Sequence, residues 1–409
     1  MKSRKIVFTL FLSAALIIFL YAAVSVNFLI SDSYTIIEGS RIEASLPPGI
    51  YPSEDTSLPV GTGGILSGGE VKSKNAERRV TLKVFNLIPV KEVSVNTVQS
   101  PVVYPSGECI GVKIYSRGII VTGFTDFDTS EGLCVSPGAV AGLKSGDIIT
   151  AINGVATTSI SEFTGIADSS GECVLDVTRG EKSFRLKVNP KPCTDGHMRM
   201  GIYVKNSIAG VGTMTFSTKD EGRFAALGHG ISDSDTGVLL PIQRGTLYKA
   251  DIIDIRKGTR GNPGEIIGAL SDDNLIGECT SNTLGGIYGI LYDQTAADTP
   301  MTVAPKGEVE KGKASLICTV DEDGKPREYN VEILSVNRLS QNKTKSFSLK
   351  VTDEKLLKKT GGIVQGMSGS PILQNGRIVG AVTHVFVNDP TRGYGIFIEN
   401  MLAEAKKSK

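Results

Sequence analysis

The chain has 409 residues and a formal net charge of +1, so it is long enough for two or three domains and carries no broad basic field suited to nucleic acid. Hydrophobic residues make up 40% and charged residues 21%, which excludes an intrinsically disordered chain. Gly is abundant at 47 and Trp is absent, a composition suited to short strands joined by tight turns.

Lys2, Arg4 and Lys5 precede an uncharged apolar run from Ile6 to about Ile30. At about 1.5 Å per residue such a run crosses the ~30 Å hydrocarbon layer. It is longer than the ~7–15 apolar residues of a cleavable signal, and Ala22-Ala23 is a poor cleavage site, so residues 1–30 are expected to be a cytoplasmic stub and an uncleaved membrane anchor. The leading positive charges keep the N-terminus in the cytoplasm and place everything after Ile30 outside. All six cysteines lie in that exported part, widely spaced and without a C-x-x-C motif, so disulfides and buried thiols both remain open. No clustering of Cys and His suggests a metal site. The Lys406, Lys407, Lys409 tail is a solvated end.

Residues 31–100 are expected to form a linker and a small β region. Leu46–Gly69 is rich in Pro, Gly and Ser, hence loop. Arg79–Val98 alternates apolar and polar residues and predicts two strands broken near Pro89. From about 101 to 190 a second unit is expected. "CIGVKIYSRGIIVTGF" predicts two strands with a turn at Ser116–Gly118, Ala139–Leu143 one helical turn, and Asp147–Ile152 a strand. Asn153-Gly154 is a hairpin signal, Ser159 and Glu162 fit a capping box opening a helix over Ile160–Ala167, and "CVLDVTRGEKSFRLKV" closes the unit as a hairpin. The phrase "GLKSGDIITAING" and this order of elements resemble a PDZ domain. The resemblance implies that an extended peptide is bound as an added strand, with a loop near Ser106, Gly107, Ile110, Gly111 and Val112 receiving the chain end. That loop departs from the Gly-Leu-Gly-Phe type.

Residues 200–405 carry many short Val- and Ile-rich segments separated by turn signals, which predicts a β-barrel or sandwich. Helical periodicity is sustained only near Ile398–Ala405. This region also holds the chemistry. A serine hydroxyl needs a base in hydrogen-bond reach, usually histidine, and the chain has only His197, His229 and His384. His197 sits in a polar connector and is expected at the surface. His384 lies inside a strand and is expected to be a packed or strand-face residue. His229, in "FAALGHGISDSD", has glycines on both sides that let another side chain and a substrate approach.

The stretch "GGIVQGMSGSPI" contains Gly366-Met367-Ser368-Gly369-Ser370-Pro371, which matches the G-x-S-G-x-P pattern of chymotrypsin-like serine proteases. Such a loop turns sharply, presents Oγ and aims backbone N–H groups at one point. Ser368 is then the nucleophile, Ser370 a pocket residue, and the N–H groups of Gly366 and Ser368 the oxyanion hole, a donor typically contributing about 10²–10³ in rate. Met367 stands where those proteases carry an Asp, which argues against zymogen activation through a freed N-terminus. For the third member, composition leaves Asp233, Asp235, Asp251, Asp254 and Asp353 open.

The apolar N-terminal segment, the PDZ-like unit, "ALGHGISDSD" and "GGIVQGMSGSPILQNGRIVGAVTHVFVNDPTRGYGIFIENML" together resemble the stage IV sporulation protein B peptidase family. The resemblance implies a mainly β chain with a PDZ domain followed by a chymotrypsin-like double β-barrel, and a triad of His229, Asp353 and Ser368. It also implies a serine endopeptidase, without a cofactor or metal, sent from the forespore into the space between two membranes. There it would process its own N-terminal region, in the exposed Ser31–Gly69 stretch, and cleave a membrane-associated regulator of a membrane metalloprotease, activating a sigma factor. The alternative is a non-catalytic scaffold built from the PDZ unit and a degenerate barrel.

Overall fold

The computed structural model describes residues 30–37, 42, 46, 49–53, 76–219, 222–293, 299–338 and 340–407. The expected membrane segment and most of the linker proposed for self-processing lie outside them. Among the described residues no helix is long and apolar enough to cross a membrane. The chain divides into two compact units, Met1–Pro101 with Ala304–Val309, and Val102–Val303 with Glu310–Lys409.

The first unit holds strands β1 (Ser33–Ile37), β2 (Ile50–Pro52), β3 (Ala76–Val84) and β4 (Ile88–Val98) in the order β1-β4-β3-β2. Its core is the alternating inward set Val80, Leu82, Val93 and Val95. The break between β3 and β4 falls before Pro89, at Phe85 and Asn86, which both adopt positive φ. Asn tolerates that conformation, whereas Pro89 sits inside β4 beside a register shift.

The second unit begins with β5 (Val102–Pro105) and β6 (Cys109–Phe124). β6 corrects two expectations. It runs 16 residues without turning back at Ser116–Gly118, and its two halves serve two different folds. A Cβ on Gly118 would lie 2.6 Å from the Ile149 carbonyl oxygen, so this glycine marks a close backbone approach rather than a turn. The second half joins α1 (Pro137–Val140), β7 (Ile148–Ile152), α2 (Ile160–Asp168), β8 (Cys173–Arg179) and β9 (Lys182–Val188) in a PDZ-like sheet of order β9-β8-β7-β6. Local chemistry fixes these elements. Ser136 caps α1 by accepting from Ala139 N at 3.1 Å. Asn153 and Gly154 make the left-handed turn after β7. Asp147, fully buried, accepts from Arg179 Nε at 2.6 Å and Nη2 at 2.7 Å, a bidentate pair that explains the Asp of "SGDII".

The first half of β6 belongs to a barrel with β10 (Ile202–Ser217), β11 (Arg223–Ala226), β12 (Ile242–Arg256), β13 (Glu265–Thr283) and β14 (Gly286–Leu291). The strands run β6-β12-β13-β14-β11-β10, and pairing of β10 with β6 closes the ring. Ile110, Val112 and Ile114 from β6 meet Phe224, Leu247 and Ile287 in its core. Burying each such side chain contributes roughly 1.5–3 kcal/mol, so the barrel cannot start at residue 200: it needs the strand that precedes the PDZ unit. A second closed barrel follows, formed by β15 (Gly312–Cys318), β16 (Arg327–Val336), β17 (Phe347–Val351), β18 (Pro371–Gln374), β19 (Arg377–Phe386) and β20 (Asp389–Phe397). α3 (Glu354–Thr360) precedes β18 and α4 (Ile398–Ala405) ends the chain, its Ile398, Met401 and Leu402 buried against Ile378, Ala381 and Ile396.

Candidate active site

β11 ends at Ala226 and leads straight into Leu227-Gly228-His229. Leu227 holds φ +68° and Gly228 φ +65°, left-handed backbone that is unusual for leucine. Space is as tight as the sequence suggests. A Cβ on Gly228 would meet Thr383 Cγ2 at 3.0 Å, and one on Gly230 would lie 2.4 Å from the Thr283 carbonyl oxygen. His229 Nδ1 is 3.0 Å from the Gly230 carbonyl oxygen. A carbonyl only accepts, so Nδ1 carries the proton and Nε2 is left with its lone pair.

The serine loop is moored to β10 by two buried threonines. Thr213 Oγ1 donates to the Gly366 carbonyl and Thr215 Oγ1 to that of Gly369, each at 2.7 Å. Ser368's own carbonyl accepts from Thr213 N at 2.9 Å, while Gly369 N donates to Val382 O at 2.8 Å. Gly366 and Gly369 both hold φ +97°. A Cβ on Gly369 would lie 2.5 Å from Leu227 N, so the loop backs directly onto the chain that carries His229, and only glycine permits that approach. Among the described residues, the N–H groups of Gly366 and Ser368 have no hydrogen-bond acceptor. Two free amides therefore flank Ser368.

Ser368 is half-buried, and its Oγ donates to the Thr383 carbonyl at 2.8 Å rather than to His229. Thr383, on β19, donates its own Oγ1 to Thr344 O at 2.7 Å. The next residue is His384. His384 is exposed on the strand face, and its ring lies against that of His229 with centroids 5.1 Å apart and planes tilted by 38°. Both histidines line a cavity of about 640 Å³ with Leu239, Leu284, Ile396, Lys343 and Glu404. Burial pulls the His229 imidazole below its ordinary value, opposed by the Gly230 hydrogen bond. Partial desolvation of its ring pulls His384 down to about 4, helped by the charges of His229 and Lys345.

Other expectations move. Ser370 is completely buried and its Oγ has no partner, so it is a packing residue behind the loop and no wall of the cavity. Asp353 is the N-cap of α3. Its Oδ1 accepts from Lys355 N at 3.0 Å and Leu356 N at 3.1 Å, and its Oδ2 from Asn330 N at 3.3 Å. Its hydrogen bonds are thus committed to main-chain amides, and the structure does not join it to His229. Nor do the other candidates bond to the imidazole. Asp233 is buried and holds Thr236 and Lys205, Asp235 pairs with Lys205, Asp251 accepts from Asn274, and Asp254 from Ile255 N. His197 lies at the surface as expected, against Asp168 at 3.0 Å.

The residues expected to form the PDZ loop are elsewhere too. Ser106 N and Gly107 N donate to Thr215 O and Met214 O, Ile110 and Val112 are barrel core, and a Cβ on Gly111 would strike Leu270. This part of β6 has β10 on one edge and β12 on the other, which leaves no edge for a peptide.

A family model described as SpoIVB peptidase S55 matches residues 196–402, half of the 409-residue chain. The chain belongs to the SpoIVB peptidase S55 family. It is a serine endopeptidase, and a PDZ domain model matches residues 135–179 ahead of the peptidase region. The barrel strand supplied by Cys109–Ser116 lies outside both matches. Among solved structures, the PDZ domain of the SdrC-like protein from Listeria monocytogenes is 24% identical and covers 22% of this chain and 87% of that one, with a TM-score of 0.18. The active form of the Rv3671c protease from M. tuberculosis is 15% identical over 49% and 74%, with a TM-score of 0.30. The HtrA-type protease AlgW with decapeptide is 11% identical over 56% and 55%, with a TM-score of 0.29. No curated protein matches the chain significantly.

Proposed function

We propose that Ser368 is the nucleophile and His229 the general base of this peptidase, with the Gly366 and Ser368 N–H groups as its oxyanion hole. The observation that carries the proposal is the pair of acceptorless amides flanking Ser368 on a loop packed against the His229 turn. In the reacting enzyme we place Ser368 Oγ, rotated about its Cα–Cβ bond away from the Thr383 carbonyl, within reach of His229 Nε2. Nε2 accepts the proton as Oγ bonds to the scissile carbonyl carbon, and the two amides receive the developing oxyanion. The imidazolium then protonates the leaving amine, and water, deprotonated by the same ring, hydrolyses the acyl-enzyme. Ser368→Ala is expected to lower peptide cleavage by the purified full chain on the order of 10⁴-fold or more with the melting temperature unchanged. Cleavage at the parent rate would refute the assignment.

The biological setting we propose rests on the family and on the charged, apolar N-terminal sequence. The enzyme is anchored by residues 1–30, exported from the forespore into the intermembrane space, trims its own N-terminal region, and cleaves a membrane-associated regulator of a membrane metalloprotease to trigger sigma-factor activation. If Ser368→Ala cells still process that regulator, the role fails. For the PDZ unit, we propose that peptide docks on the second edge of β10 at Ile202–Asn206, beside α2. Among the described residues no strand pairs with that edge, and the N–H groups of Met200 and Gly201 at its start have no acceptor. Ile166→Glu on α2 should abolish peptide binding in a titration, and undiminished binding would place the groove elsewhere.

A further inference from the structure

The turn that joins β3 to β4 is apolar where a turn is ordinarily polar. Phe85 is 72% exposed and Leu87 80%, and Ile88 and Tyr51 are exposed as well. None of the four belongs to the core of this sheet, which centres on Val80, Leu82, Val93 and Val95. Phe85 and Asn86 hold φ +49° and +60°, and Leu87 N donates to Val84 O at 3.0 Å, a turn whose two left-handed positions favour Asn and Gly. Asn86 suits it. A phenylalanine is an outlier in that backbone, and here its ring is not buried in return. No acidic residue stands between Lys83 and Lys91, so the segment is an apolar tip with a lysine on each flank. Exposed apolar side chains gathered in one patch and rimmed by polar ones mark a surface that meets a partner or a membrane.

The course of the chain decides between the two. β1 runs parallel to β4, with Ser33 opposite Ser94. Asp32 O accepts from Ser94 N at 2.9 Å, and Ile30 O from Lys91 Nζ at 2.7 Å. Following β1 back from Ser33 to Ile30 therefore leads along β4 toward Ile88 and the tip. The uncharged apolar run of residues 6–30 ends at Ile30, so it meets the sheet at the end that carries Phe85 and Leu87. From Lys91, beside Ile30, to Leu87 is four residues, roughly 13 Å of strand. We propose that the turn at residues 85–88 inserts into the lipid leaflet on the exported side, as a second contact that sets the orientation of the β1–β4 sheet on the membrane surface. This rests on the reading of residues 1–30 as a membrane anchor. Phe85 and Tyr51 supply the rings that suit a membrane–water interface. Tyr51 pairs with Lys83 across β2 and β3, and the lysine stem lets its charge reach the headgroups.

The chain has no Trp, so Phe85→Trp in the full chain places a single emitter at the tip and keeps a ring there. The protein is reconstituted in vesicles of equal parts phosphatidylcholine and phosphatidylglycerol, with and without bromine on the acyl chains. The expected result is that the protein floats with the vesicles and that its emission is blue-shifted and falls about two-fold or more with brominated lipid, as for a ring at the hydrocarbon boundary. Arg79→Trp, exposed on β3 and six residues from Phe85, roughly 20 Å away, should stay unquenched. Leu87→Asp added to Phe85→Trp should restore most of the emission, because a carboxylate is costly to carry into lipid. Unquenched, water-like emission from floated Phe85→Trp protein would overturn the proposal. Blue-shifted emission without quenching would assign the tip to a protein surface and overturn it too. Equal quenching of Arg79→Trp, or quenching untouched by Leu87→Asp, would show contact with lipid without insertion of the turn, with the same consequence. Protein that fails to float would refute the anchor, and this inference with it.

Discussion

At the residue scale, the proposed base and nucleophile each stand on a local backbone that only certain residues allow, and that backbone was legible in the sequence. Glycines surround His229 and Ser368, and every one that matters has a close approach or a positive φ to account for it. The consequence for His229 is a pH prediction. Its proton affinity is lowered, mainly by burial, so the imidazole stays neutral, and hence a base, where an ordinary histidine near 6.5 would be protonated. The acid limb of kcat/KM should therefore fall below that value; a limb above it would show that the ring is solvated or paired with a carboxylate. Ser370 gives a second prediction. A buried hydroxyl without a partner costs about 1–3 kcal/mol, so Ser370→Ala should keep activity and leave the melting temperature equal or slightly raised. A loss of activity comparable to Ser368→Ala would show that the two serines had been assigned the wrong way round. His384 lies on β19 with its side chain exposed, the strand-face place its setting in the sequence predicts, but which turn lies across from it was not legible.

At the element scale, caps and turns were readable and strand partners were not. Ser159, Asn153-Gly154 and the α4 periodicity all sit where local chemistry predicts. Asp353 shows the limit: an Asp followed by Glu354 and Leu356 is also a strong N-cap sequence, and in the structure that role claims Oδ1 while Oδ2 accepts from Asn330 N on β16. Asp353→Ala should lower stability by about 1 kcal/mol, within the ~0.5–2 typical of lost caps, while hydrolysis per folded molecule is preserved. If hydrolysis collapses with stability intact, Asp353 must orient the base in the working enzyme. β6 failed for a different reason. Ser116-Arg117-Gly118 is good turn chemistry, but the tertiary gain from burying Ile110, Val112, Ile114 and Ile120 in the barrel core and Ile119 and Val121 in the PDZ-like core favours a strand that continues straight.

At the scale of the molecule, that continuity ties the PDZ-like sheet to the catalytic barrel through one strand, within one compact unit. A shared strand predicts shared unfolding: calorimetry of Val102–Lys409 in the full chain should show the PDZ sheet and both barrels melting in one transition, and a separate, earlier PDZ transition would contradict it. The family and the two-barrel peptidase fold could be inferred from the sequence; the strand lent by residues 109–116 and the displaced peptide edge could not, since both depend on pairings of residues far apart in the chain, such as Ile202 with Phe124 and Thr213 with Cys109. The central claim remains chemical. Treating the full chain with a fluorophosphonate and locating the adduct by mass spectrometry of its peptides tests it most directly. The account predicts one adduct, on Ser368, absent from His229→Ala; an adduct on another serine, or equal labelling without His229, would contradict it.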